Sequence, residues 1–436
     1  MYKNFIKILA RFIIRNVKPS YYFNFIYFLL VKKNKKFNSD GIVLLALNPF
    51  RFRNDLEILE SEYKDILIYR MVFSFQCFLF TCFYRNPKSD IHRNINKELK
   101  IEQQSYRNFL RQFLPLVVKV FKINIVIGPG LFYRQDYDIA TIFKEIGVPV
   151  LIFHREGNLA TEAFKEDFAR RCKLYSSFHG TAMMIHNKVQ KNIIYETNYM
   201  NNNVHIIGVL RMDEWIKNTH ILHNKNMLHK RVTLFSFGPG AGFMNAKPPQ
   251  WPLDPENFMP TLCTEVHKTV INFAINNPKV EVVIKCKWGG SWRKSLLQLV
   301  GEKSDEIENI PNLIITADRD AQELISTSDV IIGFGSTTLL EGAVAGKAVI
   351  VPHFEEITKK IFAKNIYYKN DFDCFNIANS PRNLYDMIFR YTSNYIPQDH
   401  LIEKRHKLFE NYISPLDGSA RDNAYKYIVK YAEKSN

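Results

Sequence analysis

The stretch Asp329–Pro352, DVIIGFGSTTLLEGAVAGKAVIVP, decides how the whole chain is read. Val330, Ile331 and Ile332 with Gly333 make an apolar run of strand length. A Gly-Phe-Gly-Ser-Thr-Thr turn follows, then a segment rich in alanine and leucine, then Gly346 as a helix stop and a second apolar run, Ala348–Val351. The spacing predicts a β-α-β unit. It would put the amides and hydroxyls of Ser336, Thr337 and Thr338 at a helix N-terminus on the carboxyl edge of a parallel sheet. Unpaired N–H groups and the helix dipole favour an anion there. Gly333 and Gly335, before the hydroxyls, suit close backbone approach to a ligand. The structural alternative is a capping box, since Thr338 and Glu341 stand three apart.

Around that stretch the chain has 436 residues, enough for about two domains of ordinary size. Hydrophobic residues at 46% and aromatics at 14% exclude a disordered chain. Six cysteines are scattered, and only Cys77 and Cys82 lie close together. That pattern is neither a metal site nor a disulfide framework, and it fits a reducing cytoplasm. No run of about 18 uninterrupted apolar residues is present, so no membrane span is expected.

The net charge of +16 is unevenly placed, with the first acidic residue at Asp40. Before it stand nine basic residues: Lys3, Lys7, Arg11, Arg15, Lys18, Lys32, Lys33, Lys35 and Lys36. Phe5, Ile6, Leu9, Phe12, Ile13 and Val17 recur among them at helical spacing, giving an apolar face beside a basic one. The apolar run Tyr21–Val31 is too short to cross a bilayer, and Lys32–Lys36 stand where a signal peptide would need small residues. Residues 1–39 are therefore expected to attach the protein to the anionic inner leaflet from the cytoplasmic side. Nucleic acid is the rival partner for such charge, and a helix simply packed on the first domain is the plainest alternative.

Beyond residue 40, strand and helix patterns alternate. Gly41–Leu47 reads as a strand ending in the turn Asn48-Pro49-Phe50. Met71–Tyr84, rich in Phe, reads as a core helix, and Leu99–Lys122 as a long helix broken near Pro115. Ile123–Ile127 and Val148–Phe153 read as strands around a helix, Ile139–Ile146, and Thr181–Tyr195 as strand plus helix. Val204–Val209 leads to Gly208-Val209-Leu210-Arg211-Met212-Asp213. Asn218–Lys230 is polar and reads as a linker, its His220, His223 and His229 having no carboxylate or cysteine beside them to suggest a metal.

The second half repeats this grammar. Val232–Phe237 precedes Gly238-Pro239-Gly240-Ala241-Gly242, a glycine loop that matches the dinucleotide fingerprint only loosely. Glu265–Asn276 reads as a helix, Val280–Lys285 as a strand ending in the basic loop Lys285–Gly290, and Asn312–Thr316 as another strand. Asp320–Ser326, Pro381–Tyr391 and a long Leu401–Lys434 complete the helices. Alternation of this kind predicts parallel sheets, with ligands at the carboxyl ends of their strands. At one such end stands His154-Arg155-Glu156-Gly157, where a histidine or a carboxylate can serve as general base. A strand cap and a solvated ion pair are the structural alternative there.

The Gly208–Asp213 segment and the run Ser328–Thr338, with Glu341 and Gly346–Ile350, resemble GT-B glycosyltransferases. The likeness is greatest to bacterial surface-polysaccharide enzymes of the CDP-glycerol glycerophosphotransferase and capsule Kdo-transferase groups. It spans roughly residues 40–400. The resemblance implies an α/β fold of two Rossmann-like domains facing a cleft, with an acceptor domain at 40–217, a linker at 218–230 and a donor domain at 231–400. A C-terminal helix, 401–436, would return to the first domain.

The resemblance further implies that Gly335, Ser336, Thr337 and Thr338 hold donor phosphates, with Gly238, Gly240 and Arg211 nearby and Glu341 near the ribose or base. Lys285 matches a phosphate-contacting position, and Lys287-Trp288 stand where the family has His-Pro. His154 or Glu156 would deprotonate the acceptor. The implied reaction moves a sugar or a polyol phosphate from a CMP-, CDP-, UDP- or GDP-linked donor to a hydroxyl of a surface-glycan acceptor, lipid-linked at the inner membrane face. No metal or other cofactor is expected, because cationic side chains take that role. Asp318-Arg319-Asp320 has the letters of a metal motif but reads as a helix start. The alternatives are a sugar-nucleotide epimerase of the same two-domain fold and a non-catalytic protein that binds nucleic acid or a surface. No RNA-binding signature supports the last.

Overall fold

Strands buried on both faces need continuous apolar runs, and the runs described above become strands of two sheets. The fold is that of a computed structural model, which describes residues 2–23, 31–33, 41–86, 97–174, 178–200, 202–222, 230–244, 251, 253–287, 289–301, 306–307 and 309–433. The chain forms two Rossmann-like α/β units. One comprises Met1–Gly157, Ala169–Asp213 and Gly418–Asn436, and the other Asn158–Phe168 and Glu214–Asp417.

In the first unit, β1 (Val31–Lys33), β2 (Ile42–Ala46), β3 (Ile66–Met71), β4 (Ile125–Gly128), β5 (Val150–His154), β6 (Ala182–Ile185) and β7 (Val204–Ile206) form one sheet. Its order is β1-β3-β2-β4-β5-β6-β7, and all pairs are parallel except β1 with β3. Leu44, Ile68, Ile127, Leu151 and Met184 from five strands pack with Phe52, Leu56, Ala424 and Ile428 from helices on one face.

The second unit holds β8 (Arg231–Phe235), β9 (Glu281–Lys285), β10 (Leu313–Thr316), β11 (Val330–Gly333), β12 (Ala348–Pro352) and β13 (Asn376–Ala378). These are parallel throughout, in the order β10-β9-β8-β11-β12-β13. The deciding stretch therefore supplies β11, the short helix Thr338–Val344 and β12. Gly346 stops that helix at φ 69°.

Several sequence expectations change. The helix Lys97–Phe121 runs unbroken through Pro115. A proline deletes one N–H bond, and here the buried face of Phe109, Leu110, Phe113 and Val117 holds the helix together. The single C-terminal helix is two, Asp399–Tyr412 and Ala420–Glu433, because Pro415 and a left-handed Gly418 interrupt it. The first belongs to the second unit and the second to the first. The expected linker at 218–230 starts inside a helix, Asp213–Leu222, anchored by buried Trp215 and Ile216, while 223–229 lie outside the described residues. Helices Arg53–Glu62, Glu162–Leu174 and Gly290–Val300 and strands β3 and β13 were not anticipated.

At the N-terminus, Tyr2–Asn16 is a helix. Ile14 and Phe23 are buried, the Phe23 ring meets Phe113 at 5.5 Å, and Arg15 Nε donates to the Cys82 carbonyl of helix Phe73–Phe83. Leu9, Phe12 and Tyr21 remain exposed. Residues 24–30 and 34–40, which carry much of the apolar run and two of the nine cations, Lys35 and Lys36, lie outside the described residues.

Candidate functional site

In an open parallel sheet the crevice opens where strand order reverses, at the carboxyl ends of the two central strands. In the second unit those strands are β8 and β11. The loop 236–243 and, from the loop after β11, Phe334, Gly335, Ser336 and Thr338 line a pocket of about 390 Å³ together with Lys285, Cys286 and Lys287 at the end of β9. Two glycines make the loops fit. Gly335 has φ +71°, and a Cβ there would lie 3.1 Å from the Tyr367 ring and 3.2 Å from Ala241. Gly242 has φ +86°, and a Cβ would stand 2.3 Å from the Asn365 carbonyl oxygen, whose side chain donates to the Gly242 carbonyl at 2.9 Å. A side chain at either position would break the loop packing.

The pocket's chemistry is cationic and aromatic. Lys285 Nζ donates to the Cys286 carbonyl at 3.0 Å and to the Ala317 carbonyl at 2.7 Å, which fixes the ammonium and leaves one N–H for a ligand. Lys287 adds a second cation. Ser336 Oγ accepts from the Thr338 hydroxyl at 2.8 Å and from the Thr338 N–H at 3.3 Å. With both lone pairs used, the Ser336 hydroxyl has its own proton to give. Phe237, Phe334 and Tyr367 form a chain of rings at 5.4 and 6.4 Å, and Trp251 meets Trp292 edge-on at 5.2 Å. None of the described lining residues is acidic.

Of the expected donor residues, Gly238, Gly240, Lys285, Gly335, Ser336 and Thr338 line this pocket. Thr337 and Glu341 do not. Thr337 caps the helix in helical geometry, its carbonyl accepting from Leu340 and Glu341, and Glu341 is buried on the helix. Neither Thr338–Glu341 capping box nor strong helix dipole is the organising feature: Thr338 gives its hydroxyl to Ser336, and the helix is only 7 residues long. Arg211 belongs to the first unit, where it and Arg155 offset the burial that raises the pKa of Asp55. Asp213 accepts from the Ala420 and Arg421 N–H groups, starting the last helix.

The first sheet reverses between β2 and β4. The loop after β2 carries Asn48 at φ 49° and Arg51, whose guanidinium lies over the Phe50 and Tyr133 rings at 5.0 and 5.4 Å. Tyr133 donates its hydroxyl to Glu156 at 3.3 Å, and burial with that carboxylate pushes its pKa up to about 12. Glu156 is exposed, whereas His154 is 1% exposed at the end of β5. Burial pushes the His154 pKa down to about 4, so the imidazole is neutral at physiological pH. Arg155 pairs with Asp55 at 3.1 Å, an ion pair with one nearly buried partner rather than a solvated one. Beneath this edge Asp136 is fully buried and bonded to Gln76, and burial pushes its pKa up to about 8.

Sequence reading missed Ser236, Trp251, Trp292 and Tyr367 in the pocket and Arg51 and Tyr133 in the first unit. Position after a strand signals Ser236 and Arg51, but nothing local marks the aromatics, which come from segments distant in the chain. Trp288 lies outside the described residues, as do His223 and His229. Asp320 caps the helix Ala321–Thr327, accepting from the Gln322 and Glu323 N–H groups, both at 2.9 Å. Among the described residues no cluster of His, Cys, Asp and Glu forms a metal site.

No protein-family model and no curated protein matches the chain. Among solved structures it is similar to UDP-GlcNAc 2-epimerase from Neisseria meningitidis bound to UDP-GlcNAc. The identity is 14%, covering 89% of this chain and 99% of that one, with a TM-score of 0.47. It is similar to MurG from Acinetobacter baumannii, with 14% identity, 89% and 99% coverage and a TM-score of 0.44. A UDP-forming α,α-trehalose-phosphate synthase from Burkholderia xenovorans gives 10% identity, 90% and 99% coverage and a TM-score of 0.44.

Proposed function

We propose that the protein is a glycosyltransferase that takes a sugar or polyol phosphate from a nucleotide-activated donor to a hydroxyl of a surface-glycan acceptor. The observation that carries this reading is the pocket at the reversal point of the second sheet. It has two lysines, a serine with a free proton, stackable rings and no acidic lining residue among those described. A nucleoside diphosphate asks for such a set: cations and hydroxyl donors for the phosphates, and ring faces for the base.

Lys285, Lys287 and Ser336 would stabilise the charge that builds on the leaving phosphate, the role a metal ion otherwise fills. The acceptor end is assigned to the carboxyl edge of the first sheet. There a general base must come within hydrogen-bond reach of the acceptor hydroxyl, which favours exposed Glu156 over buried His154. Tyr133 then orients Glu156. His154 keeps a positioning role in this scheme.

The exposed Leu9, Phe12 and Tyr21, with a run of nine cations and no acid before Asp40, support work at an anionic membrane surface on a lipid-linked acceptor. No helix among the described residues is long and apolar enough to cross a membrane.

The test is product analysis. Purified protein is incubated with CMP-, CDP-, UDP- and GDP-linked donors, with and without a glycan acceptor. Acceptor-dependent release of nucleotide supports a transferase, whereas a rearranged nucleotide sugar without acceptor establishes an epimerase instead.

A further inference from the structure

Ser236 follows β8 directly and lines the pocket, and its hydroxyl is held by two groups that sequence reading did not connect. Its Oγ lies 3.0 Å from Nε2 of His267, and the Trp292 indole N–H donates to the same Oγ at 2.8 Å. His267 is fully buried on the helix Pro260–Asn276, and its Nδ1 lies 2.7 Å from the Cys263 carbonyl oxygen. A carbonyl only accepts, so Nδ1 carries the hydrogen. Burial pushes the His267 pKa down to about 4, so the ring has one hydrogen and Nε2 is a bare acceptor. The Ser236 proton must therefore point at His267. Trp292 occupies one of the two lone pairs, and because Ser236 lines the pocket, the second is the one left for a ligand there.

The two pocket serines are thus set in opposite senses. Ser336 accepts twice from Thr338 and has a proton to donate, while the Ser236 O–H is already donated to His267 and its oxygen can only accept from a ligand. A phosphate oxygen suits Ser336 and is repelled by the lone pair of Ser236. Resting on the nucleotide-donor reading of this pocket, we infer that Ser236 is a specificity-determining acceptor that reads one N–H or O–H group of the donor, and that His267 is the positioning residue that keeps it so. That group is a base N–H, a ribose hydroxyl or a hydroxyl of the transferred sugar. All three share the chemistry, and a ligand series separates them.

Two measurements on the full chain test this. Long-range ¹H–¹⁵N NMR reads the His267 tautomer without any ligand. The hydrogen is expected on Nδ1, and finding it on Nε2 overturns the inference. Calorimetry then takes the tightest binder of CMP, CDP, UDP and GDP, with its base-N-methyl, 2′-deoxy, 3′-deoxy and hexose-linked forms. Ser236→Ala should weaken the ligand carrying the read group by about ten- to a hundredfold. The form lacking that group should bind wild type and variant alike. His267→Leu should reduce the same discrimination, and His267→Gln, which can still accept from Ser236, should restore it. Should His267→Leu fail to fold, Ser236→Ala alone decides. Equal weakening of every form, or no weakening, overturns the inference and leaves the nucleotide reading standing. If none of the four nucleotides binds the wild-type protein, the nucleotide reading falls and this inference with it.

Discussion

Replacing Lys285 by Met tests the donor pocket at the point where its geometry is most defined. The ammonium is pinned by the Cys286 and Ala317 carbonyls, so the rotamer entropy that usually offsets a lysine contact has already been lost. In the proposed donor complex its remaining N–H would make one charge-assisted hydrogen bond to a phosphate, worth on the order of 1.5–3 kcal/mol. The Kd for a nucleoside diphosphate should therefore rise roughly 10- to 150-fold. Binding of the uncharged nucleoside should change little, because the proposed complex sets the base against the rings and only the phosphates at the lysine. Each carbonyl that loses its donor should cost about 1 kcal/mol of stability, lowering Tm by a few degrees in a unit of this size. Calorimetry beside a melting curve separates the two effects. A folded variant whose diphosphate affinity stays within about twofold of wild type would refute the phosphate role of Lys285.

Three further outcomes follow from the same geometry. Glu156→Gln should lower turnover by about 10²–10⁴-fold with donor affinity kept, and full activity would place the base elsewhere. Leu9→Ser with Phe12→Ser should reduce binding to vesicles containing anionic lipid while leaving Tm unchanged, since both side chains are exposed. Wild-type binding should weaken with salt without vanishing, and a protein that ignores such vesicles at low salt has no membrane face there. Asp136 has a pKa raised from 3.8 to about 8 by burial, so in the native state it holds its proton where the unfolded chain has released it. The stability of its neutral form is fully present below about pH 4 and is lost as pH rises to about 8. Asp136→Asn should therefore raise Tm at pH 8 and have a smaller effect at pH 4.5, and an equal effect at both would show that Asp136 titrates normally.

How far the sequence carries is clearest at the deciding stretch. Two apolar runs around a glycine-rich turn could hardly be anything but strand, helix and strand, and β11, Thr338–Val344 and β12 stand there. Lys285 and the glycine loop after β8 were legible for the same reason, since each follows directly on a buried strand. Which hydroxyl faces the pocket was not legible. Ser336, Thr337 and Thr338 are adjacent, and only the backbone geometry turns Thr337 aside and ties Thr338 to Ser336. Arg211 lies in the first unit, where the expected bounds 40–217 also place it, and there it stands near Asp55. The aromatic wall is the extreme case: Phe164, Trp251, Trp292 and Tyr367 come from four separate segments that only the fold assembles.

The central claim is that the reversal point of the second sheet holds a nucleotide donor, and amide hydrogen exchange with and without nucleotide tests it most directly. With the best-binding of CMP, CDP, UDP and GDP at saturation, the account predicts slowed exchange in residues 236–243, 285–287 and 334–338, with the helix Ala420–Glu433 unaffected. Saturating binding that leaves those three loops unprotected would contradict it.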